Sequence, residues 1–104
     1  MSMSDPRFGE STEILEKQAL KEPPRFKVLL HNDNYTTMEF VVYILVEIFH
    51  HSEIQAIKIM LQVHLEGVGI AGIYTHEIAE TKVAQVVRMA RQYEYPLMCT
   101  IEEE

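Results

Sequence analysis

Residues 32–40, Asn-Asp-Asn-Tyr-Thr-Thr-Met-Glu-Phe, join a short apolar run at residues 26–31 to a much longer one. Asn and Asp bond readily to their own backbone and stop a strand. Thr36 followed three residues later by Glu39 fits a capping box that starts a helix. A strand therefore enters this stretch and a helix leaves it. Two amide oxygens, a carboxylate and a hydroxyl also collect there beside Met38, Phe40 and Val41. Such acceptors beside an apolar surface suit a ligand with an ammonium end and an apolar side chain.

Before the stretch, residues 26–31 alternate as a strand with Phe26, Val28 and Leu30 on one face. After it, residues 37–51 read as a helix with too many apolar positions for one stripe, so it is buried on both sides or offers one side to a ligand. His50 and His51 near its end would complement the negative pole of the macrodipole. They make a poor metal pair, since adjacent helical residues point about 100° apart.

Ser52 with Gln55 forms a second capping box, and the helix it starts runs to about Glu66, where Gly67 stops it. Ile54, Ile57 and Leu61 carry the spacing of a core stripe, with Met60, Val63 and His64 on an adjoining face. Met60 and His64, four residues apart, share a side. Taken alone, His64 reads as a satisfied, half-buried histidine. Residues 67–74 are β-branched and glycine-studded, a strand whose glycines permit close backbone approach or a bulge. They lack the context of a phosphate loop.

Thr75 caps a third helix with Glu77 in its first turn, and Ala79, Val83, Val86, Val87 and Ala90 form its apolar face. Residues 76–80 are not a zinc-protease motif, because glutamate stands where the second histidine belongs. Pro96 precedes a last strand at residues 97–101, with Leu97, Cys99 and Ile101 on one face and a solvated acidic end after it. Cys99 is expected to be packed and inert.

The order strand, helix, helix, strand, helix, strand predicts an α+β fold, a three-stranded antiparallel sheet packed against three helices at residues 26–104. Residues 1–25 are mostly polar, contain Pro6, Gly9 and Pro23-Pro24, and read as a flexible N-terminal extension. Within it Ile14, Leu15, Ala19 and Leu20 could form a helical turn or two.

The 104 residues make one domain with one modest core. A net charge of −7 leaves no cationic excess for a phosphate backbone, which disfavours nucleic acid. The single cysteine forbids an intrachain disulfide, and no basic region with a following apolar run opens the chain, so a reducing cytoplasm is expected. No apolar run reaches the roughly 18–20 residues that span a bilayer. A monomer is expected, because no spare apolar stripe is left over. No Gly-x-Ser-x-Gly elbow, Walker loop or Cys-x-x-Cys pair asks for an enzyme, a metal or a cofactor.

Six separated motifs carry a resemblance: Asn32-Asp33 with Tyr35-Thr36; Met38-Glu39-Phe40-Val41; Met60-Leu61-x-Val63-His64; Gly72-x-x-Thr75; residues 79–84, Ala-Glu-Thr-Lys-Val-Ala; and Pro96-Leu97-x-Cys99-Thr100. In this order, from about residue 25 to 103, they resemble the ClpS family, the bacterial adaptors of the N-end rule pathway. The resemblance implies recognition of proteins with a destabilising N-terminal Leu, Phe, Tyr or Trp and their delivery to the AAA+ unfoldase ClpA of the ClpAP protease.

Matched by position, Asn32, Asp33 and His64 would hold the free α-amino group. Thr36, Met38, Val41, Met60, Val63 and Leu97 would line the side-chain pocket. Glu77 and Lys82 would dock the N-terminal domain of the unfoldase, and residues 1–25 would be the arm it engages. An ammonium has only donors and must meet acceptors, which an Asn oxygen, a carboxylate and a neutral imidazole nitrogen provide. Without the resemblance, Glu77 and Lys82 read as an exposed helix start with a dipole-friendly acid and a snorkelling lysine.

The chain departs from the family at Asn34, usually Asp, and at Thr37, usually Pro. Two other readings stand beside the adaptor: a general protein-interaction domain without preference for a free N-terminus, and a small hydrolase using Cys99 with a histidine.

Overall fold

The computed structural model describes residues 22–104. The extension expected at residues 1–25, with its helical turn, therefore lies outside the described residues except for its last four positions, and Arg25 already belongs to the first strand. The elements are β1 (Arg25–His31), α1 (Met38–Glu47), α2 (Glu53–Glu66), β2 (Val68–Thr75), α3 (His76–Gln92) and β3 (Met98–Glu103). The strands form one antiparallel sheet in the order β2-β1-β3. This is the α+β fold expected, and β1, the first strand in sequence, is its centre.

Alternation in β1 puts Val28 and Leu30 into the core, both with no exposed surface. Ile44 and Leu45 of α1 and Val86 of α3 are as deeply buried and join them in one apolar cluster. Ala79 and Ala90 are small enough to let α3 lie close to the sheet. Cys99 of β3 is part of the same cluster, and burial pushes its thiol up to about 12. At neutral pH that thiol carries no appreciable thiolate, the form that reacts.

Four local expectations are corrected. The N-cap of α1 is Thr37, whose hydroxyl accepts from the Phe40 N–H at 3.1 Å. Thr36 is instead taken up by Asp33, described below, so the helix starts one residue later than its capping-box spacing implies. At the other end α1 stops at Glu47, and His50 adopts a left-handed φ of 59°. His50 and His51 are thus outside the helix. The positive charge at its C-terminus comes from α3, where Lys82 Nζ donates to the Ile48 carbonyl at 2.7 Å.

His51 has a different task. Residues 28 and 29 of β1 pair with Gly72 and Ile70, so Ala71 is bulged out of the ladder. His51 Nε2 lies 2.6 Å from the Ala71 carbonyl, which can only accept, so the ring nitrogen donates. The link between α1 and α2 is thereby fastened to β2.

The buried face of α2 is Ala56, Ile59, Met60 and Val63, whereas Ile54, Ile57 and Leu61 are exposed. Two apolar stripes compete on this helix, and periodicity alone does not choose between them. Leu65 extends the outer stripe, which removes the premise that no apolar face is left over. The acidic end is exposed, as expected, and is also ordered. Glu102 and Glu103 are rungs of β3, and Glu104 closes on Arg25 through a backbone bond of 2.9 Å and a side-chain ion pair of 2.8 Å.

Gly67 ends α2 in a left-handed conformation, φ 87°, with its N–H on the Val63 carbonyl. A Cβ there would meet no neighbour, so the demand for glycine is purely conformational. Gly67→Ala should therefore cost about 1–2 kcal/mol, and Gly67→Asn less, since Asn tolerates this region. Urea denaturation of the three proteins measures the order.

Candidate functional site

The loop between β1 and α1 is built by Asp33. Its Oδ1 accepts from the Tyr35 N–H at 2.8 Å and the Thr36 N–H at 2.6 Å, and its Oδ2 accepts from the Thr36 hydroxyl at 2.7 Å. Burial pushes the carboxyl up, but the Thr36 side chain, the Thr36 N–H and the Tyr35 N–H together outweigh it and hold the group below the usual value of 3.8. Asp33 is an anion throughout the neutral range. Two oxygens offer about four lone-pair positions, so the three internal bonds leave room for a further donor.

The same loop is anchored across the molecule. The Asn32 N–H donates to the carbonyl of Gly67 at 2.9 Å, which fixes the end of β1 to the end of α2. His64 sits in the last turn of α2 and is exposed there. The anchor brings Asn32, Asp33 and His64 to one hollow of about 470 Å³ between the loop, α1 and α2.

That hollow is also lined by Thr36, Met38, Val41, Met60 and Val63. Val41, Met60 and Val63 are buried and form its apolar floor, while Met38 is 42% exposed and stands at its edge. Eight of the nine residues expected at the amine and side-chain subsites thus share one cavity. Leu97 is the exception: it is buried in the core and does not line the hollow. Asn34, Tyr35, Thr37 and Glu39 line it as well. The Asn34 amide is one of the acceptors counted in the stretch 32–40, whereas Tyr35, Thr37 and Glu39 belong to that stretch without having been expected as site residues. Their position in that stretch was the available signal.

Chemically the hollow has two ends. The rim offers oxygen acceptors, the Asp33 charge, a second carboxylate at Glu39 and the imidazole of His64. The floor is apolar and contains one flexible thioether, Met60, which can adapt to differently shaped side chains. A small cation with an apolar appendage fits this division. Among the described residues no group of three or more His, Cys, Asp or Glu could hold a metal ion, and no helix is long and apolar enough to cross a membrane.

Glu77 and Lys82 lie elsewhere, on α3. With Ile78, Thr81 and Gln85 they border a shallow hollow of about 350 Å³. Glu77 is exposed in the first turn of the helix. Lys82 is half-buried, held by the Ile48 carbonyl, with its ammonium 5.8 Å from the centre of the Tyr74 ring.

Comparison with known proteins is consistent across sequence and structure. The family model described as ATP-dependent Clp protease adaptor protein ClpS matches residues 21–100. The chain belongs to the ClpS family. A ClpS adapter protein of the ATP-dependent Clp protease from Myxococcus xanthus (strain DK1622) is 56% identical over 93 residues, 89% of this chain and 87% of its own. The ClpS of Nitratidesulfovibrio vulgaris (strain DSM 19637 / Miyazaki F) is 56% identical over 98 residues, 94% of this chain and 98% of its own. Among solved structures, Agrobacterium tumefaciens ClpS2 bound to L-phenylalaninamide is similar with a TM-score of 0.77 at 35% identity, covering 80% of this chain and all of that one. As a ClpS family member the protein is an adaptor of a Clp protease.

The loop chemistry has a pH consequence. Because the Asp33 carboxyl titrates below 3.8 in the folded protein, the unfolded chain binds the extra proton first as pH falls. The stabilisation that the charged carboxylate gives is present above that value and lost as pH drops through the lower, folded one. The difference in urea midpoint between wild type and Asp33→Asn should be constant from pH 7 to 5 and shrink below about 3.8.

Proposed function

We propose that the hollow receives the first residue of a protein chain, with its free α-amino group on the rim and its side chain, Leu, Phe, Tyr or Trp, on the apolar floor. The carrying observation is that Asn32, Asp33 and His64 converge over a floor of Val41, Met60 and Val63 in one cavity. The bound ligand of the Agrobacterium tumefaciens relative, L-phenylalaninamide, has these two ends: an amine and an aromatic side chain.

The roles follow from donor and acceptor counting. The ammonium has three N–H donors and no acceptor. The Asn32 amide oxygen, the remaining lone-pair position of Asp33 and one unprotonated ring nitrogen of His64 receive them. Thr36 keeps Asp33 aimed, since its hydroxyl already donates to Oδ2. Met38 closes the edge over the side chain.

The protein then delivers its cargo to the AAA+ unfoldase ClpA in the bacterial cytoplasm. Glu77 and Lys82 contact the unfoldase's N-terminal domain, and the residues before β1, 1–24, are the arm offered to it. What supports that surface is that the hollow bordered by Glu77 and Lys82 shares no lining residue with the first, so cargo in the first leaves it uncovered.

Fluorescence titration with a peptide beginning with Phe, and with the same peptide N-acetylated, tests the reading. Acetylation removes the charge and at least two charge-assisted hydrogen bonds of about 1.5–3 kcal/mol each, so the loss should be about a hundredfold or more. Equal affinities contradict the proposal. In the same assay affinity should fall toward alkaline pH as the peptide amine, with a pKa of about 7.7–8.0, loses its charge. His64→Ala should weaken the free-amine peptide about tenfold or more, the worth of one hydrogen bond to a charged group, and leave the acetylated peptide unchanged. An equal loss for the two peptides contradicts the role given to His64.

A further inference from the structure

We propose that Gly69 of β2, which does not touch the hollow, sets its depth by determining how far Val63 stands into it. This inference rests on the first-residue pocket proposed above. Gly69 is buried beneath α2. A Cβ built on it would lie 2.7 Å from Val63 Cγ2 and 3.3 Å from the backbone carbonyl oxygen of Ile59. The first distance is too short to persist, so an added methyl forces something to move.

What moves is decided by stiffness. Val63 is β-branched and helical, so a single χ1 rotamer is strongly preferred and rotation offers little relief. The Ile59 contact is to helix backbone, which cannot swing away alone. The third neighbour, Gln62 Oε1 at 3.3 Å, is the tip of a flexible chain and yields easily. Strain therefore passes into α2 as a unit, away from β2.

The pocket borders the same helix. Val63 is 2% exposed, lines the hollow and touches Gly69, so it is one layer thick between strand and ligand. Met60, one turn earlier, lines the hollow from the same helix. Displacing α2 from β2 moves both residues toward α1 and shortens the space for a side chain. Absence of a Cβ at position 69 is thus a specificity determinant: it makes room for bulky first residues, and Gly69 is a positioning residue that acts through Val63.

The test is the ratio of affinities for two peptides that differ only in a first residue of Trp or Leu, measured for wild type, Gly69→Ala, Val63→Ala and the double variant. A ratio is independent of the folded fraction, because both peptides meet the same folded molecules. Gly69→Ala should turn the ratio against Trp by about tenfold, the scale of an overpacked contact. In the double variant the Val63 Cγ2 that the new methyl would meet is gone, so the ratio should match that of Val63→Ala. An unchanged ratio in Gly69→Ala overturns the inference. Should Gly69→Ala alone not fold, a double variant whose ratio turns against Trp relative to Val63→Ala overturns it equally, because no Val63 side chain is left to transmit the strain. The N-acetylated Phe peptide on wild type separates the two levels: a retained preference for the free amine with an unchanged ratio sinks only the role of Gly69, whereas no preference for the free amine sinks the pocket reading itself.

Discussion

A backbone hydrogen bond of 2.9 Å, from the Asn32 N–H to the Gly67 carbonyl, joins the end of the central strand to the end of the second helix. Everything at the site depends on that connection. Asn32 and Asp33 follow the strand, His64 precedes Gly67 by three residues, and the two segments are more than thirty residues apart in sequence. The bond forms because Gly67 takes a left-handed turn that reverses the chain after α2 and leads directly into β2, the neighbour of β1. A conformational property of one glycine therefore becomes a distance between an acid and an imidazole.

Asp33 shows how a short loop can be rigid and still reactive toward a ligand. Three internal hydrogen bonds spend part of its acceptor capacity on the backbone, and in return the carboxylate is charged, oriented and pre-positioned. A ligand then meets a fixed rim instead of paying to order it. The apolar floor works by a different principle. Val41 and Val63 are stiff and buried, Met60 is adaptable, and the mixture favours size and hydrophobicity over one shape. Lys82 illustrates the reverse economy: its ammonium is already engaged at the end of α1, so it acts on the fold before it acts on any partner.

Much of this was legible in the residues. Element order and class follow from periodicity, and the site residues fall in two segments whose chemistry is visible before folding. The misreadings have physical causes. Two stripes on α2 satisfy helical spacing equally, and only packing against α1 and the sheet selects Ala56, Ile59, Met60 and Val63. Thr36 and Thr37 are both competent caps, and the Asp33 turn decides between them by consuming Thr36. His50 and His51 have apolar neighbours that look helical, yet the bulge at Ala71 claims the His51 ring and the helix ends sooner. Leu97, matched by the family motif, lies with Cys99 in the core cluster, as the alternation along 97–101 implies, and does not line the hollow.

Nuclear magnetic resonance of the Asp33 carboxylate carbon and the His64 ring nitrogens is the most direct measurement. L-phenylalaninamide and 3-phenylpropanamide, which keeps the ring and lacks the α-amine, are titrated in turn. Large shifts of both groups with the first ligand and small ones with the second are expected if the rim binds an ammonium. Equal shifts with the two ligands, or none at Asp33 and His64 while the floor residues respond, would contradict it.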